Sequence, residues 1–187
     1  GFATDLLLIA LLSIMFVGLV FLVLALALYS SLTPVLRRFI DIDNLTGLLN
    51  RRACMDVGMR LLSHGEADQI PYVLGILDLD NFKAINDTYG HQCGDLVLQK
   101  AAETLGKSLY GNDDVLARLG GEEFFVIAQC SSAHGLIMMD RLRVAVEQQL
   151  IQWQGRQIKL TVSIGLASSE HFGYNLNHLY AQADSAL

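Results

Sequence analysis

The chain has 187 residues, room for one ordinary domain and an appendage, and its net charge of −6 argues against a basic surface for nucleic acid. Its three cysteines, Cys54, Cys93 and Cys130, are odd in number and lack metal-ligand spacing, so neither a disulfide framework nor a zinc site is indicated. The five histidines are scattered, and small thiols buried in a reducing compartment account for the cysteines.

The apolar weight lies at the start. No charged residue occurs between Asp5 and Arg37, and the 24 residues Leu6–Tyr29 are interrupted only by Ser13 and Gly18. As a helix they extend about 36 Å, enough to cross a bilayer core. The run is too long for a signal peptide and has no basic leader. Residues 6–29 are therefore expected to span a membrane. Arg37 and Arg38 follow the span and only Asp5 precedes it, which places the C-terminal side in the cytoplasm. Gly1–Asp5 reads as the tail of an upstream region. Ser30-Ser-Leu-Thr-Pro34 is expected to break or kink the helix, with 35–40 resuming it as a juxtamembrane connector or a plain tether.

A turn-rich stretch opens the second domain at 41. Arg51–Leu62 is expected to be a helix with Met55, Met59 and Leu62 inward, followed by a polar loop from His64 to Gln69. Tyr72–Leu77 is a continuous apolar run, a strand buried on both faces, ending in Asp78-Leu-Asp80. Asn81–Thr88 is a short helical turn and Tyr89–Gly94 a loop. Asp95 then caps a helix to Leu109 with Leu96, Leu98, Ala101, Ala102, Leu105 and Leu109 buried.

Two short strands, Val115–Arg118 and Phe124–Ile127, flank Gly120-Gly121, a pair suited to a tight hairpin. Ala133–Ile151 has helical spacing, with Leu136, Ile137, Leu142, Val146 and Leu150 toward the core. Gln157–Ala167 is β-rich, and a last helix begins at Leu176. That order predicts an α+β sandwich around a mostly antiparallel sheet.

Glu122 and Glu123 are adjacent like charges, unfavourable unless a cation, a donor or water compensates. A solvated acidic hairpin tip is the plain reading. If the hairpin pairs beside the first strand, however, the glutamates converge with Asp78 on one sheet edge, an oxygen set suited to Mg²⁺. No Gly-x-x-x-x-Gly-Lys-Ser/Thr loop is present, so phosphate would not be held in Walker fashion. Metal-assisted nucleotidyl transfer fits better.

Asp43-Asn-Leu-Thr-Gly-Leu-Leu-Asn-Arg-Arg52, Asp78-Leu-Asp-Asn-Phe-Lys-Ala-Ile-Asn-Asp-Thr-Tyr-Gly-His91, Gly94-Asp95 and Arg118-Leu-Gly-Gly-Glu-Glu-Phe124 resemble the successive signatures of the GGDEF-domain diguanylate cyclases. Thr161-Val-Ser-Ile-Gly165 and Ala183-Asp-Ser-Ala-Leu187 are similar to the family's later strand and last helix. The resemblance covers 41–187 and implies a nucleotidyl-cyclase and polymerase-palm-like fold. It implies condensation of two GTP into cyclic di-GMP with release of two pyrophosphates, in a homodimer with one GTP per domain, at the inner membrane of a bacterium. A membrane-linked GGDEF-type module that binds GTP or a partner without strong turnover is the alternative.

Carried over, the resemblance implies Mg²⁺ (Mn²⁺ as the alternative ion) on Asp78, the Leu79 carbonyl and Glu122. Glu122 or Glu123 would be the base. Asn86 and Asp95 would read guanine, with His91 in the same substrate loop. Phe82 and Lys83 would lie at the turn around the phosphates, and Gly121 would let the backbone approach the nucleotide. For His91 and Lys83, an unengaged loop histidine and a solvated lysine are the plain alternatives. Two features depart from the family. Its product-inhibition motif Arg-x-x-Asp is reduced here to Gly111 and Asp114. Its last helix usually continues to a Lys and an Arg that reach the triphosphate, whereas this chain ends at Leu187.

Overall fold

The computed structural model describes residues 1, 12–30, 41–111 and 113–187 in full, and the helical backbone alone over 2–11 and 31–40. It comprises two units, Gly1–Asp41 and Ile42–Leu187.

The first unit is one helix, α1 (Phe2–Asp41), of 40 residues. Its stretch Leu12–Ser30 is the one helical segment among the described residues long and apolar enough to cross a membrane. Leu12, Phe16, Leu19, Phe21 and Leu24 each expose more than half their surface. A helix apolar all round is of the kind that can lie in lipid. The expected break over 30–34 does not occur, because α1 runs on from Phe2 to Asp41 past Pro34, a residue that removes one backbone hydrogen bond without here ending the helix; the side chains of 2–11 and 31–40 lie outside the described residues.

The second unit runs β1 (Leu49–Asn50), α2 (Arg51–Asp68), β2 (Val73–Leu79), α3 (Phe82–Tyr89), α4 (His91–Ser108), β3 (Val115–Gly120), β4 (Glu123–Ala128), α5 (Ser132–Glu147), β5 (Ile151–Trp153), β6 (Arg156–Ile158), β7 (Val162–Ser168), α6 (Ser169–Phe172) and α7 (Leu176–Ala186). Five strands form one sheet in the order β1-β3-β4-β2-β7, and β5-β6 form a separate hairpin. The β3–β4, β4–β2 and β2–β7 ladders are antiparallel and β1–β3 is parallel, so the sheet is mixed and mostly antiparallel, as expected.

Strand alternation sorts the central residues onto two faces. Leu77, Phe124 and Val126 join a core with α4 and α5. Ile76, Phe125 and Ile127 join another with α2 and α7. Both phenylalanines after the glutamates are fully buried. This is why β2 and β4 read as unbroken apolar runs.

Several expectations give way. α2 continues through the expected loop to Asp68, with Gly65 buried and Gln69 ending it in the left-handed region. Its inward residues are Ala53, Cys54, Gly58 and Leu62, while Met59 is exposed. α4 begins at His91, so Asp95 lies in its second turn and is no cap. Its buried set adds Cys93 and Val97 and leaves Leu96 and Leu109 at the margin. α5 stops at Glu147 and buries Met138, Met139, Leu142 and Val146. Leu136, Ile137 and Leu150 face outward. Ile151 starts β5 instead, across a two-residue turn at Gln154 and Gly155 that both hold positive φ.

Candidate active site

The hairpin delivers the acidic group. Gly120 and Gly121 hold φ of 141° and 54°, which lets β3 turn into β4 without a Cβ clash. β4 pairs with β2 so that Glu123 stands directly opposite Asp78. The Leu79 N–H donates to the Glu122 carbonyl at 3.3 Å, which holds the turn against the end of β2. Asp78 and Glu123 share strand parity with Ile76 and Phe125, and so lie on the α2/α7 face. The convergence expected of the two motifs is therefore a consequence of register.

Burial first, then the charges of Glu122, Glu123 and Asp80, push the Asp78 carboxyl above its ordinary value. Negative charge thus accumulates at the sheet edge and disfavours its own ionisation. Among the described residues no three His, Cys, Asp or Glu side chains form a metal-holding group. The groups that could offer oxygens at this edge are Asp78, Glu122 and the Leu79 carbonyl. That fits a hard divalent cation that keeps several waters and completes its shell on phosphate. Raised affinity of Asp78 for a proton is the electrostatic counterpart of that fit.

Asp80, two residues beyond Asp78, is engaged elsewhere. Thr161 Oγ1 donates to one of its oxygens at 2.6 Å and Ser163 Oγ to the other at 2.7 Å. Its own N–H donates to the Thr161 carbonyl at 3.0 Å. Asn81 then takes left-handed φ and ψ of 57° and 24° and starts α3, a conformation asparagine tolerates. Phe82, the first residue of α3, buries its side chain among the α4 residues, so its backbone amide is what it can offer a ligand. Lys83 is exposed.

Asn86 and Asp95 sit on the adjoining helices α3 and α4. Gly94 permits that approach: a Cβ there would lie 2.0 Å from Asn86 Oδ1 and 3.2 Å from Phe82. The glycine is thus a helix-crossing residue, not the loop residue expected. Asp95 follows it and is exposed, as is His91 in the first turn of α4.

Arg118 and Asp43, both within motif stretches, meet across the fold. Arg118 Nε and Nη2 donate to the Gly121 carbonyl at 3.1 and 2.8 Å, while Nη1 donates to both Asp43 oxygens at 3.1 and 3.3 Å. Asp43 also accepts from Thr46 N–H at 2.9 Å and Thr46 Oγ1 at 2.6 Å. Burial raises the Asp43 pKa, but the Thr46 and Arg118 bonds outweigh it and hold the carboxyl below its ordinary value. One guanidinium therefore braces the hairpin tip against the segment before β1. The signal available in sequence was a lone Arg two residues before the glycines.

Behind the hairpin, Asp114 caps its own turn. Its Oδ2 accepts from the Gly111 N–H at 2.9 Å. The cleft around it contains Cys130, His134 and Arg141. Arg141 lies 4.2 Å from the Tyr110 ring centre and donates to the Ser108 carbonyl at 3.1 Å.

The family described as Diguanylate cyclase, GGDEF domain, matches residues 40–187. Probable diguanylate cyclase DgcF of Escherichia coli is 42% identical over 117 residues, which are 60% of this chain and 37% of that protein. Diguanylate cyclase A of Treponema denticola is 40% identical over 126 residues, 67% of this chain and 33% of that protein. The chain thus spans about a third of the length of the curated relatives it matches. The crystal structure of the coiled coil and GGDEF domain of DgcB from Caulobacter crescentus, in complex with c-di-GMP, superposes with a TM-score of 0.76 at 30% identity, covering 87% of this chain and 85% of that one. Motifs, mixed palm-like sheet and family match agree, and the chain belongs to the GGDEF-domain family of diguanylate cyclases.

Proposed function

We propose that the protein is a membrane-anchored diguanylate cyclase that condenses two GTP into cyclic di-GMP and two pyrophosphates. The observation that carries the proposal is the pairing of Asp78 with Glu123 across β2 and β4, with Glu122 tied to Leu79. Among the described residues, the ion pairs of the domain do not include Asp78, Glu122 or Glu123. In this reading Asp78, the Leu79 carbonyl and Glu122 would hold a divalent ion, Mg²⁺ by the hardness of the set. When bound, that ion supplies neutralisation of the triphosphate charge and acidification of the attacking hydroxyl.

The chain's own groups do the rest. Glu122 or Glu123 accepts the proton of the 3′-hydroxyl as that oxygen attacks the α-phosphate of the other GTP, and pyrophosphate leaves. Asn86 and Asp95 read guanine, whose N1–H and N2–H₂ form a donor pair that adenine lacks. His91 borders that pocket. The backbone at Phe82 and Lys83 embraces the phosphates, and Gly121 lets the hairpin approach them closely. Each domain holds one GTP, so two copies must meet. A helix in the inner membrane, with the domain in the cytoplasm and 30–40 between, would hold two chains together and raise their effective concentration.

The test supplies GTP and Mg²⁺ to the full-length protein as a dimer and resolves the products by chromatography. Cyclic di-GMP is expected, and Glu122→Ala should abolish it while the fold persists, because Glu122 is not core. No product from the dimeric wild type overturns the proposal in favour of a binding module.

A further inference from the structure

Asp80 stands beside a carboxylate whose ionisation it opposes, yet its oxygens are directed to the hydroxyls of Thr161, just before β7, and Ser163, within it. Two O–H···O⁻ bonds of 2.6 and 2.7 Å are in the short, charge-assisted range. A third bond, from its N–H to the Thr161 carbonyl, extends the attachment past the end of the β2–β7 ladder at Leu79 and Val162. The very next residue, Asn81, is the left-handed hinge into α3. Its carbonyl receives the Ala84 and Ile85 amides at 2.9 and 3.3 Å, and the first amides of any helix lack intrahelical partners. Asp80 is therefore the last anchored point before the turn whose amides meet the phosphates in the proposed reaction. The anchor comes from the edge strand, opposite the side on which the catalytic hairpin pairs.

We infer that Asp80, with Thr161 and Ser163, is a latch that fixes the β2–α3 turn against β7, so that Asp80 is a positioning residue and no ligand of the metal. The substrate half of this statement rests on the reaction proposed above; the latch does not. The two roles separate because the hydroxyls can be removed while Asp80 stays. A metal ligand would keep its oxygens in Thr161→Val/Ser163→Ala, whereas a latch would lose its hold.

The experiment compares full-length wild type, Thr161→Val/Ser163→Ala, Asp80→Ala, the triple variant and a Thr161→Ser control, by hydrogen exchange and GTP kinetics. Exchange at the hydrogen-bonded amides of Asp80, Ala84 and Ile85 should rise about tenfold in the double variant and no further in the triple, because the three side chains act as one unit. The KM for GTP should rise about tenfold with kcat within about threefold of wild type, as expected when a phosphate-holding turn loosens. Thr161→Ser, which keeps a donor, should leave both at the wild-type level. Unchanged exchange in the double variant overturns the latch. So does wild-type kinetics in the double variant with abolished turnover in Asp80→Ala, which would make Asp80 a direct participant. Should a variant melt early and exchange everywhere, Ser163→Ala alone carries the exchange measurement, with a rise confined to Asp80, Ala84 and Ile85 expected and no rise overturning the latch. If wild type makes no cyclic di-GMP, the proposed function falls while the exchange result still decides the latch.

Discussion

Arg118→Ala is the most informative single substitution. The Arg118 side chain is 12% exposed and that of Asp43 25%, and the guanidinium joins the Gly121 carbonyl to both Asp43 oxygens. Truncation leaves Gly121 without its donor and Asp43 without its cation. Loss of one partner of a well-buried pair costs about 3–5 kcal/mol. Here Asp43 keeps two bonds from Thr46 and some water, so the cost should fall to about 2–3 kcal/mol, the scale of a hydrogen bond to a charged group. Urea unfolding followed through Trp153, the one tryptophan, would measure it. The wild-type pair stabilises above the ordinary carboxyl value of 3.8 and is lost as pH falls through the lowered Asp43 value. The wild-type advantage over Arg118→Ala should therefore shrink in acid. Turnover should fall further than stability implies, by about 100-fold, because an unbraced tip shifts the glutamates by a fraction of an ångström or more. Arg118→Lys keeps charge but cannot fork, and should recover part of the stability and little activity. Stability and turnover within twofold of wild type in Arg118→Ala, or full rescue by Lys, would refute the bracing argument.

Three further outcomes follow from particular contacts. Because the Asp78 carboxyl is raised by burial and by its acidic neighbours, its contribution to metal-free stability is present at low pH and declines as pH rises through the raised value. Metal affinity should run the other way, weakening as pH falls through the same range, and titration calorimetry at several pH values would show it. Gly94→Ala places a Cβ 2.0 Å from Asn86 Oδ1; the Asn86 side chain must swing away or the helices part, costing about 1–3 kcal/mol, and either way preference for GTP over ATP should drop. Unchanged nucleotide preference would remove Asn86 from guanine recognition. Since Asp114 caps Gly111 and Arg141 is occupied by Tyr110 and Ser108, cyclic di-GMP should inhibit weakly. Tight inhibition that Asp114→Ala abolishes would contradict this.

The errors along the chain share a physical pattern. On α5 both 136-137-142-146-150 and 138-139-142-146 satisfy helical spacing. Packing against β7 and α4 selects the second and leaves Leu136 and Ile137 in solvent. Gly65 and Gly94 read as loop residues because glycine is a poor helix former, but each meets a neighbouring side chain too closely for a Cβ. β1 has two residues and no pattern of its own; it exists because it pairs with β3.

Local chemistry alone determined the apolar span, the glycine turn, the apolar runs of β2 and β4 and the order of acidic motifs, because periodicity and turn preference act over a few residues. Convergence of those motifs needed the β2–β4 register, which opposes Asp78 and Glu123. The Arg118–Asp43 brace closes over 75 residues and the Asp80 latch over 81 and 83. Such contacts leave no local trace, since a carboxylate at a strand end looks the same whether it awaits a cation or accepts from a hydroxyl. Only the folded sheet, by fixing which strand lies alongside, distinguishes Asp78 from Asp80.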